Sequence, residues 1–514
     1  MINFALALAG SVLAAAPCES LKSLALPGTI ITAAELVPAG PYTVPSPAGG
    51  PPAPAGGPGR GPAPAAPALT LPARCRVAAV LKPSSDSQIE VEVWLPSENW
   101  NGKFEAVGNG GWAGAISFAA MASALQEGYA TASTDTGHKG GNAAFAIGHP
   151  EKVIDFAYRA VHEMTVTSKS LIAAFYDRAP RLSYWNGCST GGRQGLMEAQ
   201  RYPADFDGII AGAPANYQTH LHAWDLGVSV HALKDQASLV SPAKAAALSK
   251  AVLNACDAHD GVKDGLINDP RACHVDLSAL LCRGADADNC LTAAQLDTVT
   301  RVYAPAKTKS GEVIFPGKEP GSETGWNIIA GGPQPPGVSL GSFQVAYNDA
   351  NWDWHGFDLD RDVKVVDDKV GFINAVSPDL EAFRARGGKL LLYHGWNDAS
   401  ISPLNTINYY ESVVSTLQGK QTRAAAEADA QKFVRLFMVP GMLHCGNGPG
   451  PNSFDMLTAL ENWTEKGQAP ERVTASHSTR GVQDRTRPLC VYPQVAKYKG
   501  QGSTDAAENF ECKP

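Results

Sequence analysis

Along the 514-residue chain the hydrophobic positions fall into short runs separated by polar, turn-rich stretches. Residues 89–95 (IEVEVWL) alternate in the period of a strand with one face buried. Leu182 to Trp185, Ile209-Ile210, Lys389 to Tyr393 (KLLLY) and Phe433 to Val439 (FVRLFMV) are compact apolar runs, which predict strands covered on both faces. Helical patterns lie between them, over Glu151 to Phe175 and Arg193 to Arg201. Strands alternating with helices predict an α/β fold built on a mostly parallel sheet. From Pro214 to about Ser377 the pattern changes, becoming rich in Gly, Pro and Asp, with four of the cysteines and several aromatics. This stretch predicts an inserted domain over 215–376, which divides the main domain into 18–214 and 377–514. No internal repeat is evident.

Composition sharpens the picture. Length alone would allow about three domains, but one large α/β domain with an insertion fits equally. Apolar residues at 44% and charged residues at 18% allow a sizeable core and exclude global disorder. A formal charge of −8 argues against nucleic acid or an anionic membrane as the main partner. Glycine (51) and proline (37) are in excess, and many of them fall between Val37 and Pro72. That Pro/Gly/Ala-rich run cannot bury enough side chain to offset backbone ordering, so a mobile surface loop is expected over 37–72.

Residues 1–17 read as a signal peptide, apolar and ending in small residues, although the first basic side chain is Lys22. The alternative is a short apolar helix docked on the core. No other stretch has the ~18 uninterrupted apolar residues of a membrane span. A soluble, exported protein is expected, secreted or periplasmic. Ten cysteines without a CxxC pair disfavour zinc ribbons and Fe–S clusters and suit an oxidising compartment.

The chemistry centres on Asn186-Gly187-Cys188-Ser189-Thr190-Gly191-Gly192, a G-x-S-x-G directly after a predicted strand and before a predicted helix. A sharp strand-to-helix turn forces the serine into a strained conformation and requires small flanking residues. Its hydroxyl then stands at the carboxyl end of the sheet, above the positive end of a helix. A serine needs a base, and in this fold class the chain order is Ser, then Asp or Glu, then His. Only His444 and His477 lie well beyond Lys389 to Tyr393. His444 sits in a Gly-flanked loop after an apolar strand, whereas His477 lies in a polar tail segment and reads as an exposed histidine. The loop after Tyr393 (His394-Gly395-Trp396-Asn397-Asp398) supplies Asp398, which would hold the imidazole tautomer.

Cys188 precedes Ser189 and Cys445 follows His444. If these two are bonded, the Ser and His Cα atoms cannot lie more than roughly 13 Å apart. Such a bond would staple nucleophile to base; two unrelated buried thiols are the alternative.

These residues resemble the tannase/feruloyl esterase family, which also contains the bacterial mono(hydroxyethyl)terephthalate hydrolases. The shared arrangement is Cys188-Ser189, Asp398 and His444-Cys445, and the resemblance runs from Cys18 to Cys512. It implies an α/β-hydrolase fold with a large inserted lid and a secreted serine esterase that cleaves esters of aromatic acids. Gly108 to Gly111 would then be the oxyanion loop, with amides of Gly111 and Thr190 as donors; an ordinary turn is the other reading of that run. Glycines there let backbone N–H groups approach a developing oxyanion. Sequence alone cannot choose among the disulfide pairings; the resemblance implies Cys18–Cys75, Cys188–Cys445, Cys256–Cys273, Cys282–Cys290 and Cys490–Cys512.

Residues 256–266 (CDAHDGVKDGL) bring three carboxylates and two glycines together, which suits Ca²⁺ or plain Asp-Gly turns. The resemblance implies structural Ca²⁺ held by Asp257, Asp260 and Asp264 and the carbonyls of Val262 and Leu266. Trp326, Phe343, Tyr347, Trp352, Trp354 and Phe357 in the insertion could stack on an aromatic acyl group or form that segment's own core. Between Gly337 and Asp358 there is no Lys or Arg to hold a free carboxylate, which disfavours a terephthalate monoester. Ile401 is expected in the pocket wall. The expected partner is a small aromatic ester; oligomeric state is open. The competing readings are a calcium-dependent binding protein on an inactive hydrolase fold, and a transferase or peptidase on the same fold.

Overall fold

The computed structural model describes residues 16–45, 69–112 and 114–514, so nearly all of the expected signal peptide and residues 46–68 of the Pro/Gly/Ala-rich run lie outside it. Its strands are β1 (Thr29–Val37), β2 (Gly40–Tyr42), β3 (Leu69–Leu71), β4 (Arg74–Leu81), β5 (Ile89–Pro96), β6 (Lys103–Val107), β7 (Ala130–Thr134), β8 (Leu182–Cys188) and β9 (Gly208–Gly212). After the insertion come β12 (Lys389–Gly395), β13 (Val434–Val439), β14 (Arg472–Thr479) and β15 (Val482–Cys490), with β10 (Ala306–Lys307) and β11 (Val313–Phe315) inside it. Among the described residues nine strands form one sheet in the order β1-β4-β5-β7-β6-β8-β9-β12-β13. The six from β7 to β13 run parallel, while β1, β4 and β5 are antiparallel.

The apolar runs explain the parallel half. Leu390, Leu391, Leu392, Val434 and Leu436 are all fully buried, as strands covered by helices on both faces must be. The expectation of a half-exposed strand over 89–95 is corrected. Glu92 is buried and hydrogen-bonded by Arg76 and the Trp94 indole, because Leu71, Met121 and Leu125 cover that face around Trp94. The expected mobile loop over 37–72 is corrected at its ends: β2 and β3 pair antiparallel and Leu71 is buried.

The helices used below are α1 (Phe118–Gln126), α2 (Pro150–Ile154), α3 (Ala160–Tyr176), α4 (Thr190–Arg201) and α5 (Gln218–Leu233). The single helix expected over 151–175 is in fact α2 and α3 joined by a π-helical turn at Asp155–Arg159, where Arg159 pairs with Asp155 at 2.6 Å. Between β9 and β12 the chain packs around Trp224, Leu248, Val252, Val299, Val302 and Trp326, joined by Ala399 and Ile401 from the loop after β12. Trp326 and Phe343 are buried in its interior, and Phe343 stacks on the half-buried Trp352 at 5.0 Å.

Five disulfides are present, in the pairs the resemblance implied. Cys188–Cys445 closes the longest loop, with a Cα separation of 6.0 Å.

Candidate active site

In-register parallel pairing sets Cys188 beside Gly212 and Gly395 beside Val439. The carboxyl ends of β8, β9, β12 and β13 therefore lie side by side, and Ser189, Asp398 and His444 all follow from that one edge. Ser189 has φ +63° and ψ −124°, a strained conformation for a residue with a side chain, costing on the order of 1–3 kcal/mol. The turn holds because its amide donates to Gly212 O at 2.9 Å and its carbonyl accepts from Arg193 and Ala215. It also needs glycine: a Cβ on Gly187 would stand 2.6 Å from the Gly191 backbone.

Asp398 is fully buried. Its Oδ1 accepts the amides of Ser400 at 2.7 Å and Ile401 at 2.9 Å. Its Oδ2 faces two imidazoles, His444 Nδ1 at 2.7 Å and His394 Nε2 at 3.0 Å. Burial pushes this carboxyl up, but the His444 charge and the hydrogen bonds of His394 and His444 more than reverse that. Asp398 is held well below the usual carboxylate range. His394 Nδ1 lies 2.7 Å from Thr406 Oγ1, so Nε2 carries the proton when the threonine hydroxyl donates. Lys318, buried, donates to Ser400 O at 2.8 Å and steadies the same loop.

A cavity of about 110 Å³ lies against Ser189, Thr190, Gly111, Ile401 and His444. Thr190 joins two parts of the site, since its hydroxyl donates to Gly111 O at 3.0 Å. Gly111 itself has φ +58°. The rest of the wall comes from α5 (Gln218, Leu221, His222, Asp225) and from Ile328, Ile329, Pro336 and Val338. None of the six aromatics singled out in the insertion lines it, and its apolar surface is aliphatic; Phe343, Tyr347, Trp352 and Phe357 pack on one another, Trp326 packs on Tyr303 and Trp354 stacks on His355. His222 is buried against Ser342, and burial lowers it to about 3, so it is neutral. His477, expected as an exposed histidine in a polar tail segment, sits half-buried on β14, 2.6 Å from Asp484 and away from the cavity.

Gln218, His222, Asp225, His394 and Lys318 were not singled out from the sequence. Only His394 had a signal, its place four residues before Asp398 in the quoted loop.

Asp257, Asp260 and Asp264 share one loop, though their carboxylate oxygens are not all within 4.8 Å of one another. Asp257 Oδ1 accepts the amides of Asp264 and Gly265, each at 3.0 Å. Burial raises Asp260 and Asp264, their neighbouring carboxylates raise them further, and Arg487, paired with Asp264, opposes this. The all-oxygen, mutually repelling donors fit a hard cation.

A parallel sheet with a sharply turned serine at its carboxyl edge, and histidine and acid loops beside it, defines an α/β hydrolase. A family model described as tannase and feruloyl esterase matches residues 75–513, and the chain belongs to that family. It is 41% identical to an uncharacterized esterase of Xanthomonas campestris, over 97% of this chain and 91% of that one. A probable feruloyl esterase B-2 of Aspergillus terreus is 35% identical, over 85% of this chain and 86% of its own length. The crystal structure of feruloyl esterase B from Aspergillus oryzae superposes with a TM-score of 0.86 at 32% identity, covering 96% of this chain and 99% of that one. The protein is a carboxylic ester hydrolase acting on small-molecule esters. No helix among the described residues is long and apolar enough to cross a membrane.

Proposed function

We propose that the protein hydrolyses esters of aromatic acids through an acyl-enzyme on Ser189. The observation that carries this is the His444 Nδ1–Asp398 Oδ2 contact of 2.7 Å beside the strained Ser189, with Ser189 and His444 both lining one cavity. Asp398 fixes the imidazole with Nδ1 protonated, which leaves Nε2 to take the Ser189 proton. The Ser189 Oγ attacks the ester carbonyl, and the amides of Thr190 and Gly111 hold the oxyanion. The C–O bond to the alcohol breaks as His444 returns its proton to the leaving oxygen. Water, deprotonated by His444, then attacks the acyl carbonyl, releasing the acid and restoring the Ser189 hydroxyl.

The aromatic acyl group is supported by the names of the Aspergillus relatives. The cavity wall holds a carboxyl, Asp225, and no Lys or Arg, which favours a neutral acyl group over a terephthalate monoester. Asp257, Asp260 and Asp264, with the carbonyls of Val262 and Leu266, would hold a structural Ca²⁺ that neutralises their charge. Five disulfides and the apolar N-terminus support secretion or a periplasmic location.

Ser189→Ala should lower kcat on methyl ferulate or methyl gallate by at least about 10⁴-fold with an unchanged melting temperature. Turnover that survives this substitution rejects the reading.

A further inference from the structure

Gln218, Leu221, His222 and Asp225 line the cavity in the i, i+3, i+4, i+7 spacing of one helix face. The segment leading into the helix is tied to the nucleophile, since the Ala215 amide donates to Ser189 O at 3.0 Å. Seven positions of helical rise put Asp225 about 10 Å beyond Gln218, toward the remote end of that face.

The Asp225 carboxyl is incomplete there. Its Oδ2 accepts from Ser339 Oγ at 2.7 Å, but its Oδ1 has no hydrogen-bond partner among the described residues. Lys318 is committed elsewhere, to Ser400 O and to the Trp224 ring at 4.6 Å. The neighbouring wall, Ile328, Ile329, Pro336 and Val338, offers apolar side chains and no side-chain donor. A buried carboxylate oxygen without a donor is costly and calls for one from outside the protein.

We propose that Asp225 accepts a hydrogen bond from a phenolic hydroxyl at the far end of the acyl group, so that the site selects esters carrying a free para hydroxyl. The inference rests on the reading of Ser189 as the esterase nucleophile. A cinnamoyl group, with two carbons between carbonyl and ring, carries its para hydroxyl further along α5 than a benzoyl group does. A methoxy group at that position would set one acceptor against another. Burial raises Asp225 to about 6, although Lys318 and Ser339 pull it down, so above pH 7 it is a charged acceptor.

The test compares kcat/KM at pH 7.5 for the methyl esters of 4-hydroxycinnamate, 4-methoxycinnamate and cinnamate. The full-length protein is measured beside Asp225→Asn and Asp225→Leu, with melting temperatures for each. The unmodified protein should prefer the 4-hydroxy over the 4-methoxy ester by about 10-fold or more. Asp225→Leu should bring the 4-hydroxy to 4-methoxy ratio down to about 1, and Asp225→Asn, still an acceptor, should fall between. Absence of the preference in the unmodified protein overturns the inference without needing a variant. Equal losses on all three esters also overturn it, since they mark a structural role. Failure of the unmodified protein to hydrolyse any of the three removes the aromatic-ester reading itself, and Asp225 with it.

Discussion

Asp398, on the loop after β12, and Glu105, on β6, are both buried acids at the parallel half of one sheet, and one is ionised where the other holds its proton. Asp398 receives two amides and two imidazoles, which outweigh burial and keep it ionised. Glu105, on β6, has one donor, Asn186 Nδ2 at 3.1 Å, and its Oε2 has no partner among the described residues. Burial, with Glu127, Glu461 and Asp455 nearby, raises it to about 8. Depth in the protein therefore does not decide whether a carboxyl is charged; the number and charge of the groups pointing at it do. The acid paired with His444 stands where the donors are dense.

The sharpest way to break this contrast is to neutralise each acid in turn. Asp398→Asn should lower kcat on an aromatic methyl ester on the order of 10⁴-fold by upsetting the imidazole tautomer. Glu105→Gln should leave kcat within about threefold; similar losses from both would erase the distinction.

Stability against pH tests the other half. Glu105 is raised above its ordinary 4.5, so the folded protein keeps a proton there that the unfolded chain has lost. That stabilisation is complete below about pH 4.5 and disappears as pH rises through about 8. In urea melts from pH 5 to 9, Glu105→Gln should remove a decline of about 4 kcal/mol, at about 1.4 kcal/mol per unit. Parallel curves for the two proteins would show that Glu105 does not carry the decline.

A third set of acids extends the comparison, because Asp257, Asp260 and Asp264 would be relieved by a cation rather than by protons or donors. Chelation with EDTA should lower stability by about 2–3 kcal/mol, restored by Ca²⁺ and not by Mg²⁺. An unchanged melting curve argues for plain turns.

The smallest effect concerns the second imidazole. His394→Gln, which can still donate to Asp398, should lower kcat about tenfold or less, and His394→Leu by more, both with KM little changed. No change in kcat for His394→Leu would mean that the remaining donors suffice.

Much of this frame was legible in the residues themselves. Leu390 to Leu392 and Val434 to Val439 announce doubly covered strands, and Gly187, Ser189 and Gly191 mark the turn through the absence of bulk. Chain order then pointed to Asp398 and His444, and the resemblance supplied the disulfide pairs. Glu92 was misread because alternation reports side-chain polarity, while Leu71 and α1, which cover it, come from elsewhere in the chain. Gln218, His222 and Asp225 were invisible because α5 is buried almost all round, so its polar residues trace no exposed stripe. The aromatics of the insertion looked suited to a substrate, yet Phe343 and Trp352 had each other to pack against.

The bond between Cys188 and Cys445 turns the 256 residues between them, insertion included, into a covalent ring. A protease that cuts this ring once, anywhere from Ser189 to His444, leaves a single molecule whose two new ends are still joined through sulfur. In an environment rich in extracellular proteases, nicking at the exposed turns of the insertion would therefore leave the two fragments together, and only reduction would part them.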